Sequence, residues 1–288
     1  LEQELTFNTA AETFKKHNIP FSEDKYKALG IVSINDELFT NLGLIISDQC
    51  RHTIKVAVFA DEENINFVDH REFGGSVFSQ IENAFEYIML NNKNRSVFSG
   101  IDRIDIPDYP EAAIREALLN AVVHRDYGFS GSIIININSK CIDIISIGGL
   151  VSGLSEEDIM NGISQPRNRN LAEMFHRLKY IESYGTGIRK ILSLYSDQEN
   201  KPEITITPNS FRLSLPNRNI GNSAKQDIPS QYQTVIDYLK DNGSMTEEEL
   251  QELLGIKKTR AYNLYKAMEK DGFITVLGKG AEKKIILK

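Results

Sequence analysis

The chain has 288 residues, 41% of them apolar and 25% charged, with a net charge of −7. That is room for two or three domains, each with its own core, and it excludes disordered and fibrous classes. No uninterrupted apolar run approaches the ~18 residues of a membrane span, so no bilayer crossing is expected.

The charge is uneven. From residue 221 onward eleven Lys/Arg meet ten Asp/Glu, a balance of +1 that leaves −8 on residues 1–220. Within residues 255–288 nine Lys/Arg meet three Asp/Glu, or +6. A basic end on an acidic protein points to one small region that meets a polyanion. The chain opens on Leu1 rather than Met, and no basic stretch precedes an apolar one, so a fragment of a longer cytoplasmic protein is expected. Cys50 and Cys141 lie in strand-like apolar stretches, which reads as reduced thiols rather than a disulfide framework. No Cys or His spacing suggests a zinc site.

In chain order, TIKVAVFA (Thr53 to Ala60) predicts a strand, and Val77, Ile81, Phe85 and Ile88 then line one side of a helix. A second helix carries Ile114, Leu118, Ala121 and Val122 as its apolar side. Two strands, SIIININ and CIDIISI, follow around Ser139 and Lys140, and ITIT and FRLSL form a hairpin around Pro208 and Asn209. This order predicts an α+β fold with helices on one face of a mixed sheet. PNRNIGNSAKQDIPSQ is polar and without hydrophobic period, the mark of a linker. The expected divisions are an N-terminal α/β segment at 1–75, the tail of an upstream domain packing on the next; a main domain at 76–216; a linker at 217–230; and a C-terminal domain at 231–288.

After the linker a first helix is predicted at about Tyr232 to Lys240. A second begins at Thr246, which makes a capping box with Glu249, and stops at Gly255. A third spans about Lys258 to Lys270, and FITVL and KIILK then flank GKGAEK as a hairpin. Three helices and a hairpin in this order predict a winged helix-turn-helix. In the third helix Ala261, Leu264, Tyr265 and Met268 form the apolar side. Lys257, Lys258, Arg260, Tyr262, Asn263 and Lys266 remain for reading double-stranded DNA, with Lys279 in the hairpin along the adjacent backbone and Lys283 and Lys284 beside it.

The stretch REALLNAVVHRDY places Glu116, Asn120 and His124 four residues apart on one helix face. A carboxylate there can act as general base on a water, and an Asn oxygen can complete the shell of a Mg²⁺ that bridges phosphates. Further on, IGGL and YGTGI offer glycine turns whose N–H groups can cradle phosphate. HRDY is not a protein-kinase catalytic loop. The Asn required five residues after the Asp is Gly131, and no Asp-Phe-Gly follows. It reads instead as a helix end, with His124 and Arg125 at the negative pole and Asp126 bonding in the turn before Gly128. Arg167 and Asn168 in QPRNRN read as braces of a loop.

The ordered set EALLNA, SIGGL, RNRNLAEMF and YGTGI resembles the N box, first Gly box, lid and second Gly box of the gyrase, Hsp90, histidine kinase and MutL (GHKL) ATPase fold. Residues from YPEAAIREALLNAVVHRDY to IESYGTGIRKIL resemble the divergent version in RecG-like, Schlafen-AlbA-associated transcriptional regulators. The resemblance implies a GHKL ATPase-like α/β sandwich at 76–216. It also implies Glu116 as the water-activating base, Asn120 as the Mg²⁺ ligand, and Ser146, Gly148, Gly149, Gly185, Thr186 and Gly187 at a nucleotide. Ser146 stands where active members carry the Asp that accepts the adenine amino group, so the domain is expected to be degenerate. It would bind ATP with Mg²⁺, or another ligand, or support a homodimer. A DNA-binding transcriptional regulator is the leading expectation, an ATP-hydrolysing enzyme its rival, and an oligomerisation scaffold a third reading.

Overall fold

The computed structural model describes residues 3–99, 102–182, 185–220, 230–278 and 283–288. The chain divides into two compact units, Leu1–Ile220 and Gly221–Lys288. In the first unit the elements are α1 (Asn8–Lys16), α2 (Asn41–Ile46), β1 (Ile54–Phe59), β2 (Phe67–Phe73), α3 (Val77–Asn91), β3 (Asn94–Ser99) and β4 (Asp102–Pro107). They continue as α4 (Glu111–Val123), β5 (Ile133–Ile137), β6 (Cys141–Ile147), α5 (Glu156–Met160), α6 (Arg169–Arg177), α7 (Gly187–Ser193), β7 (Glu203–Thr207) and β8 (Ser210–Pro216).

Six strands pair in the order β2-β1-β5-β6-β8-β7, and β3 with β4 forms a separate ribbon. β1 runs parallel to β5, and the other neighbours in the large sheet are antiparallel, so the sheet is mixed. Register aligns one apolar row across it: Val56 with Ile135, Ile135 with Ile144, Ile144 with Leu213, and Leu213 with Ile204. Alternation along each strand turns this row to one face, where α3 and α4 cover it. On the other face Lys55 and Ile134 are exposed, as expected for a sheet packed on one side. Burying each such Val, Leu or Ile side chain stabilises the unit by about 1.5–3 kcal/mol relative to leaving it exposed.

The division expected between residues 75 and 76 runs through this sheet, because β1 and β2 precede it and pair into it. The N-terminal helix shares the same core: Phe14 meets Phe78 at 6.3 Å and Phe78 meets Phe175 at 6.1 Å between ring centroids. Phe7 at the start of α1 has no side-chain acceptor for the helix's free N–H groups. Asp48 supplies it from a distant loop, accepting the backbone N–H groups of Asn8 and Thr9 at 2.9 and 3.2 Å.

The second unit contains α8 (Ser230–Asn242), α9 (Glu247–Leu254), α10 (Lys258–Lys270), β9 (Ile274–Leu277) and β10 (Lys284–Leu287), the two strands antiparallel. Thr246 and Glu249 close a reciprocal capping box, and Gly255 ends α9 in the left-handed conformation at φ 62°. Val235, Leu239, Leu250, Ala261, Tyr265, Met268 and Ile285 form its core. Among the described residues of either unit, no helix is long and apolar enough to cross a membrane.

Candidate ligand cleft and candidate nucleic-acid face

Helix α4 buries Ala113, Ile114, Ala117, Leu118, Ala121 and Val122 against the sheet, which leaves half-buried Glu116, Asn120 and His124 along its remaining face. Asn120 Nδ2 donates to Glu116 Oε1 at 3.1 Å, so the amide oxygen of Asn120 is the acceptor left to face a ligand.

The C-terminal end of this helix determines much of the site. The last carbonyls of a helix have no partner within it, and here each finds one. Asn120 O accepts the N–H of His124 at 3.0 Å. Ala121 O accepts from Ser146 Oγ at 2.7 Å, Val122 O from the Tyr127 hydroxyl at 3.1 Å, and Val123 O from Asn168 Nδ2 at 2.8 Å. Asn168 Nδ2 also reaches Arg125 O at 2.7 Å. Residues from HRDY, SIGGL and PRNRN thus converge on one helix end.

The loop after α4 is held from within. Arg125, 1% exposed, donates to Asp126 O at 3.1 Å, to Phe129 O at 3.0 Å and to Gly131 O, with its guanidinium 4.8 Å from the Tyr127 ring centroid. Asp126 accepts the Gly128 N–H at 2.9 Å, which is the expected turn. Arg167 pairs with Asp126 at 3.1 Å and donates to Gly149 O at 3.0 Å, so Arg167 and Asn168 brace the loop. The expectation of two cations at the helix's negative pole is corrected here. Arg125 turns to loop carbonyls, while burial, and after it the charge of Arg167, lowers the His124 pKa and favours its neutral form.

Between α4, the ends of β6 and β8, and the segment around α5 lies a cavity of about 110 Å³. Its walls include Ala121, Ile144, Ser146, Leu154, Ile159, Phe211 and Leu213. Among the described lining residues none is Asp, Glu, Lys or Arg. The size is of the order of the ~150 Å³ cavity that admits a benzene ring. A more open groove of about 420 Å³ adjoins it and carries Glu116, Arg169, Glu173, His176, Arg177 and Glu182. The two meet along Asn120, His124, Ser164, Gly185 and Gly187.

The structure therefore brings Asn120, Ser146, Gly148, Gly149, Gly185 and Gly187 around one cavity, with Glu116 and Thr186 in the groove beside it. It changes the reading of the glycines, because the space each missing side chain leaves is filled by protein. A Cβ on Gly149 would collide with the backbone oxygen of Thr207, and one on Gly185 with that of Gly162. At Gly148, where φ is +103°, a Cβ would lie 2.9 Å from Asp126 Cβ, and at Gly187 it would strike the Glu116 carboxylate. Thr186 precedes α7 with its hydroxyl 3.4 Å from Glu182 Oε2.

Among the described residues no group of three or more His, Cys, Asp or Glu is placed to hold a metal ion. A Mg²⁺ here would take Asn120 as its ligand and the remainder of its shell from phosphate and water, the usual composition of such sites. Sequence reasoning missed Phe211 and Leu213 as cavity walls. Their strand comes next to β6 only through the sheet order.

In the second unit Ala261, Tyr265 and Met268 bury one stripe of α10, with Leu264 packed beside them. Lys257, Lys258, Arg260, Tyr262, Asn263 and Lys266 are exposed on the other. Lys266 pairs with Glu269 at 2.6 Å. Lys283 is turned inward: its Nζ donates to the Tyr265 hydroxyl at 2.9 Å and lies 3.9 Å from Glu247 and 5.9 Å from the Tyr262 ring centroid. Lys283 thus ties the hairpin to α10, where it was expected along a DNA backbone. Lys279 lies outside the described residues.

Residues 131–215 match a family model described as "Putative ATP-dependent DNA helicase recG C-terminal", and this unit carries an ATPase-like domain of the RecG type. The matched span runs from β5 to β8 and leaves α4, with Glu116 and Asn120, outside it. A solved structure of the DIP2311 protein from Corynebacterium diphtheriae is similar over 98% of this chain, with 19% identity and a TM-score of 0.64. The chain spans 61% of that protein's length, and the likeness concerns the fold. No curated protein matches the chain.

Proposed function

We propose that the chain is a DNA-binding transcriptional regulator. Its C-terminal unit is a winged helix-turn-helix for double-stranded DNA, and its ATPase-like unit takes a nucleotide as the signal. The observation that carries DNA binding is the start of α10. Lys257, Lys258 and Arg260 are exposed there, with no ion pair among the described residues, while the opposite stripe is anchored in the core. Cations at that end reach phosphates, and the polar ends of Tyr262 and Asn263, exposed one turn on, can meet base edges. A mobility-shift assay on the full chain with mixed-sequence duplex at low salt tests this. Changing Lys257, Lys258 and Arg260 together to Ala should abolish the shift or make its dependence on log salt shallower by about one per phosphate contact removed. Unaltered binding would sink the reading. A two-fold operator would require two copies of the chain, which light scattering with and without DNA would count.

The nucleotide reading is supported by the paired shape of the cleft, an uncharged cavity of ring size opening into a polar groove across Asn120 and His124. The ring would sit in the cavity and the phosphates in the groove, where Asn120 would share a Mg²⁺ with them and Arg177 offers positive charge, Arg169 being paired with Glu173 at 3.0 Å. Calorimetry with Mg-ATP to millimolar concentration tests it, and absence of heat would end it. One observation favours turnover as a second reading: Glu116 lines the same groove as Asn120. Against it, Glu116 Oε1 already accepts from Asn120 Nδ2 and lies against Gly187. Release of phosphate that disappears in Glu116→Ala would establish turnover.

A further inference from the structure

Strand β2 lies at one edge of the large sheet, with β1 on its only paired side. Its seven residues, Phe67–Phe73, make it longer than β7 at the other edge, and six of the seven are exposed. An edge strand offers a row of unpaired N–H and C=O groups, which proteins commonly blunt with Pro or Lys or by covering it. β2 contains neither residue, and Phe67 and Val68 at its start are 63% and 65% exposed. Beyond a register slip beside Val68, Asp69 to Phe73 pair regularly with Val58 to Ile54. The N–H of His70 donates to Asp69 Oδ1 at 2.9 Å, so it points away from β1, and by alternation the backbone of Glu72 does too. The Tyr87 hydroxyl donates to Asp69 Oδ2 at 2.6 Å, and the Arg71 guanidinium lies 4.8 Å from the Tyr87 ring centroid. One tyrosine thus holds both charges on the same face of the strand.

We infer that β2 is a dimer interface, pairing antiparallel with β2 of a second copy of this chain about a two-fold axis at His70. Side chains opposite one another in an antiparallel pair lie on the same face, so the axis must pass through a residue rather than between two. Centred on Asp69, Arg71 or Glu72, the pairing would set a charge against its own copy, which is destabilising. Only centring on His70 sets Asp69 opposite Arg71 of the second copy, and symmetry makes that contact twice. The backbone agrees with this register. His70, whose N–H points outward, exchanges hydrogen bonds with its own copy, and Asp69 and Arg71 fall at the positions between bonds, where opposed Cα atoms are closest at about 4.5 Å. A carbonyl then takes the His70 N–H, and Asp69 Oδ1 is freed for Arg71 while Oδ2 stays on Tyr87. Because Tyr87 already fixes both charged groups, pairing orders little that is free. The inference goes beyond the DNA and nucleotide readings and holds without either, although such a pair would supply the two copies that a two-fold operator requires.

The experiment is sedimentation velocity of the full chain, without DNA or nucleotide, over a series of concentrations. The unmutated chain should become dimeric as concentration rises. Asp69→Arg alone and Arg71→Asp alone each create two like-charge pairs and should weaken the dimer by at least about tenfold. Mixed in equal amounts, the two variants should recover a dimer of one copy of each, because in this register every positive residue then faces a negative one. A chain that stays monomeric at every concentration would overturn the inference, and so would a dimer that either single variant leaves intact. A mixture that stays monomeric would exclude the register and overturn it too. None of these results touches DNA or nucleotide binding, which the shift assay and calorimetry decide separately. Should one variant fail to fold, the other and the unmutated chain still decide.

Discussion

Replacing Ser146 by Asp places at this position the carboxylate that the ATPase resemblance leads one to expect, and it should weaken the protein. Ser146 is buried and donates to Ala121 O at 2.7 Å. An ionised carboxylate has no proton to donate, so the helix-end carbonyl and the new charge would face each other without water. A protonated carboxyl can donate, so the folded state should hold that proton and raise the group's pKa above the unfolded value of about 3.9. Stranding a buried charge of this kind without a partner costs about 4 kcal/mol at high pH. The sign follows from the raised pKa: the loss is absent below about pH 4, grows as pH rises and is complete above the folded value. Ser146→Ala removes only the donor and should cost about 1–3 kcal/mol at every pH. Thermal unfolding followed by circular dichroism at pH 4.5 and pH 8 distinguishes these. For a unit of this size about 4 kcal/mol lowers Tm by about 8–16 °C at pH 8, and the Asp variant should recover at pH 4.5 relative to the wild type. An Asp variant as stable as the wild type at pH 8 would refute the donor role of Ser146.

Asn168→Ala strips the partner from Val123 O and Arg125 O and should cost about 2 kcal/mol in urea unfolding; a change under about 0.5 kcal/mol would mean that water replaces the amide. Gly149→Ala drives a Cβ into the backbone of Thr207 and Pro208 and should cost about 3 kcal/mol or prevent folding. Gly187→Ala meets chiefly the movable end of Glu116 and should cost less than about 1 kcal/mol, an order that paired melting curves would check. Because burial lowers the His124 pKa, the unfolded chain binds that proton more readily. Stability should therefore be full above the ordinary histidine range and fall as pH drops through it. His124→Gln should make that fall shallower, and an unchanged acid limb would show that His124 does not contribute to it.

The sequence by itself determined what is local. The capping box of Thr246 and Glu249, the stop at Gly255 and the apolar stripe of α10 are set by chemistry within four residues. So are the hairpin turns at Ser139–Lys140 and Pro208–Asn209, and the single face that holds Glu116, Asn120 and His124. It also identified in order the segments that line the cleft. Only the tertiary structure decided what those segments do to one another. The pairing of β1 with β5 carries residues before 76 into the sheet, and no local periodicity encodes which strand is a neighbour. The arrival of Ser146, Tyr127 and Asn168 at the open end of α4 made three motif residues into hydrogen-bond partners of stranded carbonyls. Sequence can show that a serine stands where a carboxylate was expected. Where its proton goes depends on the atom folded against it, and that atom, Ala121 O, is 25 residues away along the chain.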